Sequence, residues 1–118
     1  MRKLIMIGLV LFAFACNSDE EEMSCYGLNN VQCSFYPWEE NLNSNPSSEE
    51  KIEAMKGFFQ DQDIQVQSAS YNPRFYDAVC EACTVCPRSD RYEIELKSSD
   101  IPKLESLELK GLTLLQCE

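Results

Sequence analysis

Seven cysteines in a chain of 118 residues that holds no histidine constrain this sequence more than any other feature. Thiols at that density belong either to a disulfide scaffold or to a metal site, and the redox compartment decides between them. Six of them, Cys25, Cys33, Cys80, Cys83, Cys86 and Cys117, form an even set that can pair completely where disulfides persist. Cys16 is left over. Six cysteines allow 15 connectivities, so their spacing alone does not choose a pairing. Cross-links matter here because a domain of about 90 residues buries little apolar surface for its length.

The odd cysteine has its own context. Arg2 and Lys3 precede an apolar run from Leu4 to Ala15, broken only by Gly8, and Ala13-Phe14-Ala15 sets small residues at the third and first positions before Cys16. That is the n-region, h-region and cleavage site of a signal peptide over residues 1–15. A membrane span fits less well, because a helix over this run rises about 18 Å against a hydrocarbon core of about 30 Å. A cysteine directly after such a site resembles the lipobox of bacterial lipoproteins, with Ala13 in place of the usual Leu-like residue and Phe14 in place of the small one. The resemblance implies cleavage before Cys16, lipid on its sulfur and attachment to a membrane through several acyl chains, each buried methylene adding about 0.8 kcal/mol. The alternative, an ordinary secretory signal with Cys16 in a disulfide, would leave one thiol unpaired. Asn17-Ser18-Asp19-Glu20-Glu21-Glu22 resembles the acidic surface-export signal of some Gram-negative lipoproteins, which implies the outer leaflet of the outer membrane. A periplasm-facing protein with a solvated acidic tether is the alternative. These resemblances cover residues 1–22, and no family is identified for residues 25–118.

Loss of Arg2 and Lys3 with the leader takes Lys+Arg from 10 to 8 against 20 Asp+Glu, a formal charge of −12. Such a balance repels phosphate backbones and anionic lipid surfaces, so nucleic acid is not an expected partner. The membrane contact runs through the lipid instead.

Residues 16–24 read as a lipidated acidic tether, and residues 25–118 as one small disulfide-rich domain. Val31 to Tyr36 predicts a strand stopped by Pro37, and Asn41 to Ser48 a loop. Ser47 with Glu50 has the capping-box form and opens a helix whose Ile52, Met55 and Phe59 make one apolar stripe, with Phe58 beside them and an end near Gln60. Alternation from Ile64 to Ser70 predicts a strand. A short helix over Phe75 to Cys83 is expected in the long connection that follows, ended at or before Cys86 by Pro87. Tyr92, Ile94 and Leu96 give the cleanest strand alternation. Ser99 or Asp100 caps a second short helix, with Pro102 in its first turn, Leu104 and Leu107 inward and Gly111 as its C-cap. A last strand spans Leu112 to Cys117. This order fits an α+β fold, a ferredoxin-like βαββαβ sandwich with a four-stranded antiparallel sheet and both helices on one face. First and last strands are neighbours in that fold, which would set Cys33 beside Cys117.

Three readings compete for Cys80-Glu81-Ala82-Cys83-Thr84-Val85-Cys86-Pro87. As structure, its cysteines pin a long connection to the core. As a redox site, a Cys-x-x-Cys pair with a lowered thiol pKa exchanges disulfides, although it lacks the clear strand-then-helix setting of thioredoxin-like sites. As a metal site it has no fourth cysteine near enough for an iron-sulfur cluster, and a zinc site needs a distant ligand. The absence of histidine removes Ser-His-Asp, Cys-His and His-based zinc chemistry. Glu49, Glu50, Asp61 and Asp63 sit at helix ends with no apolar pocket to raise a pKa, and Asp61-x-Asp63 lacks the rest of a calcium loop. Two aromatic stretches, Phe35-Tyr36-Pro37-Trp38 and Tyr71-Asn72-Pro73-Arg74-Phe75-Tyr76, either fill the core or make a binding face. The expectation is a non-enzymatic surface module that binds a protein or glycan through Tyr36, Trp38, Tyr71, Phe75 and Tyr76, or serves as an accessory subunit, without cofactor or metal. The alternative is a thiol-disulfide redox protein working through Cys80, Cys83 or Cys86.

Overall fold

A computed structural model describes residues 22–117; the expected signal peptide, Cys16 and the acidic run through Glu21 lie outside them. The first helix, α1 (Ser48–Asp61), begins where the capping box predicts. The Glu50 N–H donates to Ser47 Oγ at 3.1 Å while the Ser47 N–H donates to Glu50 Oε1 at 3.4 Å, so two of the orphan donors at the helix start are satisfied. Met55 and Phe59 are fully buried on its inner stripe.

Four strands, β1 (Met23–Leu28), β2 (Val66–Asn72), β3 (Arg91–Lys97) and β4 (Leu112–Leu115), form one antiparallel sheet in the order β2-β3-β1-β4. Alternation sends Tyr92, Ile94 and Leu96 of β3 to one face, where Tyr26 and Leu28 of β1 join them. Met55 and Phe59 of α1 and Leu104 of α2 (Ile101–Ser106) close the same core. The fold is therefore α+β, with a four-stranded antiparallel sheet, two helices and three disulfides. The other face of the sheet carries Cys25, Ser68, Ser70, Arg91, Glu93 and Glu95 around a shallow concavity of about 580 Å³.

Several expectations are corrected. The first strand is Met23–Leu28, which begins in the last two residues read as tether and runs into the domain, and not Val31 to Tyr36. Val31 makes only an isolated bridge to Pro87. Tyr36 instead opens a 3-10 turn over Pro37–Glu39 that carries the Trp38 ring inward. Gly27 disguised β1. It is needed there, because a Cβ at this position would lie 2.6 Å from Arg91 Nε, whose guanidinium lies across the strand beneath the Phe75 ring, 4.2 Å from its centroid. No helix forms over Phe75 to Cys83; the chain turns there, with the Tyr76 N–H donating to the Ser89 carbonyl at 3.1 Å and cysteine bridges replacing helical bonds. Glu108 (φ 51), not Gly111, takes the left-handed position after α2. Gly111 (φ 70) leads into β4, where a Cβ would lie 1.8 Å from the Asn29 carbonyl oxygen.

The cysteines pair as Cys25–Cys117, Cys33–Cys83 and Cys80–Cys86. Adjacency of the first and last strands, with the first placed at Val31 to Tyr36, predicts Cys33 beside Cys117. The two strands are neighbours, but the first strand carries Cys25, opposite Leu115 of β4, so Cys25 takes the partner.

Candidate functional site

Two segments leave the same end of the sheet, since Leu28 pairs with Tyr92 and Asn72 with Arg91. They are residues 29–35 after β1 and residues 73–90 between β2 and β3. Both are rich in residues that do not continue a strand, and they are fastened to each other instead. Cys33–Cys83 joins them covalently and Cys80–Cys86 closes the second on itself. The Gln32 N–H donates to the Cys86 carbonyl at 2.7 Å, Thr84 N–H to the Gln32 carbonyl at 2.9 Å and Arg88 N–H to the Asn30 carbonyl at 2.8 Å. Asn29 Nδ2 adds bonds of 2.9 Å and 2.6 Å to the carbonyls of Arg88 and Asp90. The result is a stapled knob on one end of the sheet.

Beneath the knob lies a charge cluster that the sequence did not single out. Arg88 uses all five of its N–H donors. They go to Glu39 Oε1 at 2.8 Å and Oε2 at 2.9 Å, to the Ser34 carbonyl at 3.0 Å, to Asp90 Oδ1 at 2.8 Å and to Asp90 Oδ2. Tyr92 Oη donates to Glu39 at 3.0 Å, Tyr71 Oη donates to Asp90 at 2.8 Å, and Lys51 Nζ of α1 donates to Tyr71 Oη at 2.8 Å. Burial works to raise the pKa of Glu39 and Asp90, but the hydrogen bonds and charge of Arg88 outweigh it and hold both carboxyls below their ordinary range. Burial, aided by these carboxylates, pushes Tyr36, Tyr71 and Tyr92 well above theirs. Glu39, Asp90 and Arg88 are thus held charged near neutral pH. Arg88 has no donor left for a phosphate or carboxylate ligand.

Above this floor runs a groove of about 370 Å³ lined by Cys33, Phe35, Tyr71, Pro73, Arg88 and Ser89. Phe35 also lines a second cleft of about 330 Å³ with Leu107 and Lys110, so its ring stands as a ridge between two hollows. The structure separates the residues predicted to bind. Tyr36 and Trp38, at 2 % and 5 % exposure, belong to the core and not to a surface. Their rings stack at 4.6 Å between centroids, and Tyr36 Oη donates to the Lys110 carbonyl at 2.6 Å. Tyr71 is half-buried in the cluster, whereas Phe75 and Tyr76 are exposed. Phe35, inside the first aromatic stretch but not among the five expected binding residues, and Val85 are the most exposed large hydrophobic side chains among the described residues, at 74 % and 77 %. Residue type favoured Trp and Tyr for an interface, and nothing in the order Phe35-Tyr36-Pro37-Trp38 reveals which rings the 3-10 turn draws inward.

The Cys-x-x-Cys pairs do not bond internally: Cys80 bonds Cys86 across the intervening Cys83, and Cys83 reaches Cys33. Glu50 serves the helix cap and Asp63 accepts from Lys103 at 3.1 Å, as carboxylates at helix ends do. Compared with family models, curated proteins and solved structures, the chain matches none.

Proposed function

We propose that this chain is a membrane-anchored, non-enzymatic module that docks a partner protein on its disulfide-stapled knob. One observation carries the reading. Of the five large hydrophobic side chains exposed among the described residues, Phe35, Phe75, Tyr76 and Val85 belong to the two knob segments, and only Leu114 lies elsewhere. Exposed apolar side chains gathered on a rigid support are the usual mark of a protein-binding patch. Two cross-links reduce the entropy that ordering such loops would cost on binding. The satisfied polar floor favours an apolar protein surface over a glycan, which would need free donors and acceptors.

The leader and Cys16 support an exported lipoprotein, and the acidic run after Cys16 supports exposure at the outer-membrane surface. Six cysteines in three bridges agree with an oxidising compartment. Direction follows from the sheet. β1 enters it at Met23, and the knob leaves β1 beyond Leu28, about 20 Å along the strand. A lipid on Cys16 would therefore hold the plain end of the sheet toward the bilayer and turn the knob away from it. A ferredoxin-like sandwich is the fold we assign, supported by the element order and by the strand order β2-β3-β1-β4, in which first and last strands are adjacent.

The test is capture from envelope and extracellular fractions by the wild type and by the triple variant Phe35→Ala, Phe75→Ala, Tyr76→Ala. These side chains are exposed, so folding should survive. Loss of a discrete protein partner supports the reading. Equal capture by both forms, or capture of a glycan alone, refutes it.

A further inference from the structure

The open face of the sheet, which the knob reaches only through Phe75, holds a second arrangement. Cys25 on β1 and Glu95 on β3 are directly paired across strands, and Cys117 follows β4, whose Leu115 pairs with Cys25. One ligand atom from each of Cys25, Glu95 and Cys117 lies within 4.8 Å of the other two, and Glu95 Oε2 is 3.9 Å from Cys25 Sγ. A tetrahedral zinc ion with bonds of about 2.3 Å to sulfur and 2.0 Å to oxygen sets sulfur and oxygen about 3.5 Å apart. The carboxylate already stands close to that spacing. In the oxidised chain the two sulfurs are bonded to each other and present no thiolate.

We propose that reduction of the Cys25–Cys117 bridge turns this corner of the sheet into a three-ligand site for a borderline-soft divalent cation, zinc above all. A dithiol reductant gives two electrons and two protons to the bridge, breaking its S–S bond and leaving two thiols while the reductant closes its own disulfide. Zinc then displaces both thiol protons to solvent and forms two Zn–S bonds and one Zn–O bond to Glu95. Water fills the fourth position, for which the concavity lined by Ser68, Glu93 and Glu95 leaves room. Ser68 Oγ donates to Glu95 Oε2 at 3.5 Å and orients the carboxylate from outside the ligand set. Two thiolates among three ligands exclude calcium and magnesium, which take oxygen. Two of the ligands sit on adjacent strands, and Cys117, exposed near the chain end, is the one that rotates. Bridge and metal are mutually exclusive, so metal bound to the reduced chain blocks closure of this disulfide.

Cobalt(II) titration of the full chain tests this, read by thiolate-to-cobalt charge transfer and tetrahedral ligand-field bands. Wild type, C25S/C117S and E95Q are compared after reduction with a non-chelating phosphine, and wild type also before it. Reduced wild type should bind one more equivalent than C25S/C117S, whatever the knob cysteines bind. E95Q should weaken that equivalent at least tenfold, and the oxidised chain should lack it. Equal stoichiometry in wild type and C25S/C117S overturns the proposal. Should C25S/C117S fail to fold, E95Q, which keeps the bridge, decides: unchanged affinity overturns the site.

Discussion

At the scale of single residues, Arg88 organises the end of the molecule that carries the knob. Its guanidinium and the Glu39 and Asp90 carboxylates are 16 %, 6 % and 11 % exposed, so removing the cation leaves two buried charges without a partner. Arg88→Ala should cost about 3 kcal/mol at pH 7, read by chemical denaturation. The pH dependence should change sign with it. In the wild type both carboxyls sit below their unfolded values, so their stabilisation is complete above about pH 5 and is lost as pH falls below about 4. The tyrosines sit above theirs, so stability also falls as pH rises past about 10. In Arg88→Ala, burial, the largest influence on both carboxyls, is opposed only by the bonds from Tyr36, Tyr92 and Tyr71 and the charge of Lys51; it then raises them, and the variant should regain stability as pH is lowered from 7 toward 5. A variant that only weakens further on acidification would contradict this assignment. The charge cluster was not legible beforehand, because Glu39 lies in the 3-10 turn and Arg88 and Asp90 about 50 positions away in the loop before β3, and each reads singly as a solvated loop charge. Gly111 was read as a helix cap for the right physical reason, its freedom at positive φ, but that freedom is used against the Asn29 carbonyl. Gly111→Ala should therefore cost at least about 2 kcal/mol in the same measurement.

Among the elements, those whose pattern is local were legible. The cap and stripe of α1 and the alternation of β3 need only residues within one or two turns or pleats. Ser47→Ala should cost about 1 kcal/mol, seen as a lower denaturation midpoint with unchanged knob disulfides. β1 was not legible, because an acidic run precedes it and a glycine interrupts its pattern for the sake of Arg91, a residue more than 60 positions away. β2 runs from Val66, and the irregular pairing between Val66 and Ser68 turns Ala69 and Tyr71 toward the core where the alternation set Ser68 and Ser70. The knob was legible only as a cluster of cysteines. Its expected helix lost to bridges and turn bonds that no local pattern encodes. Replacing Cys33 and Cys83 by serine should cost about 2–4 kcal/mol. Capture by the knob should fall by more than the loss of folded protein accounts for, measured on the fraction that still denatures cooperatively.

For the molecule as a whole, parity of the cysteines was the strongest guide. Six of the seven do pair among the described residues, and first and last strands do adjoin, although Cys25 and not Cys33 meets Cys117. Of the five residues expected on a binding face, Phe75 and Tyr76 are exposed and Tyr71 is half-buried, while Tyr36 and Trp38 of the first stretch lie in the core and its Phe35 stays outside. The proposed anchor predicts a mature chain whose mass begins at Cys16, with added acyl chains and six hydrogens fewer than the fully reduced form. An unmodified thiol at Cys16 would contradict the anchor. The most direct test of the whole account is photocrosslinking in the native envelope, with a photoreactive residue at Phe35 on the knob or at Lys103 near the opposite end of the sheet. A discrete protein adduct from position 35 and none from position 103 is the predicted result. Lipid labelling at position 35, or the same adducts from both positions, would contradict it.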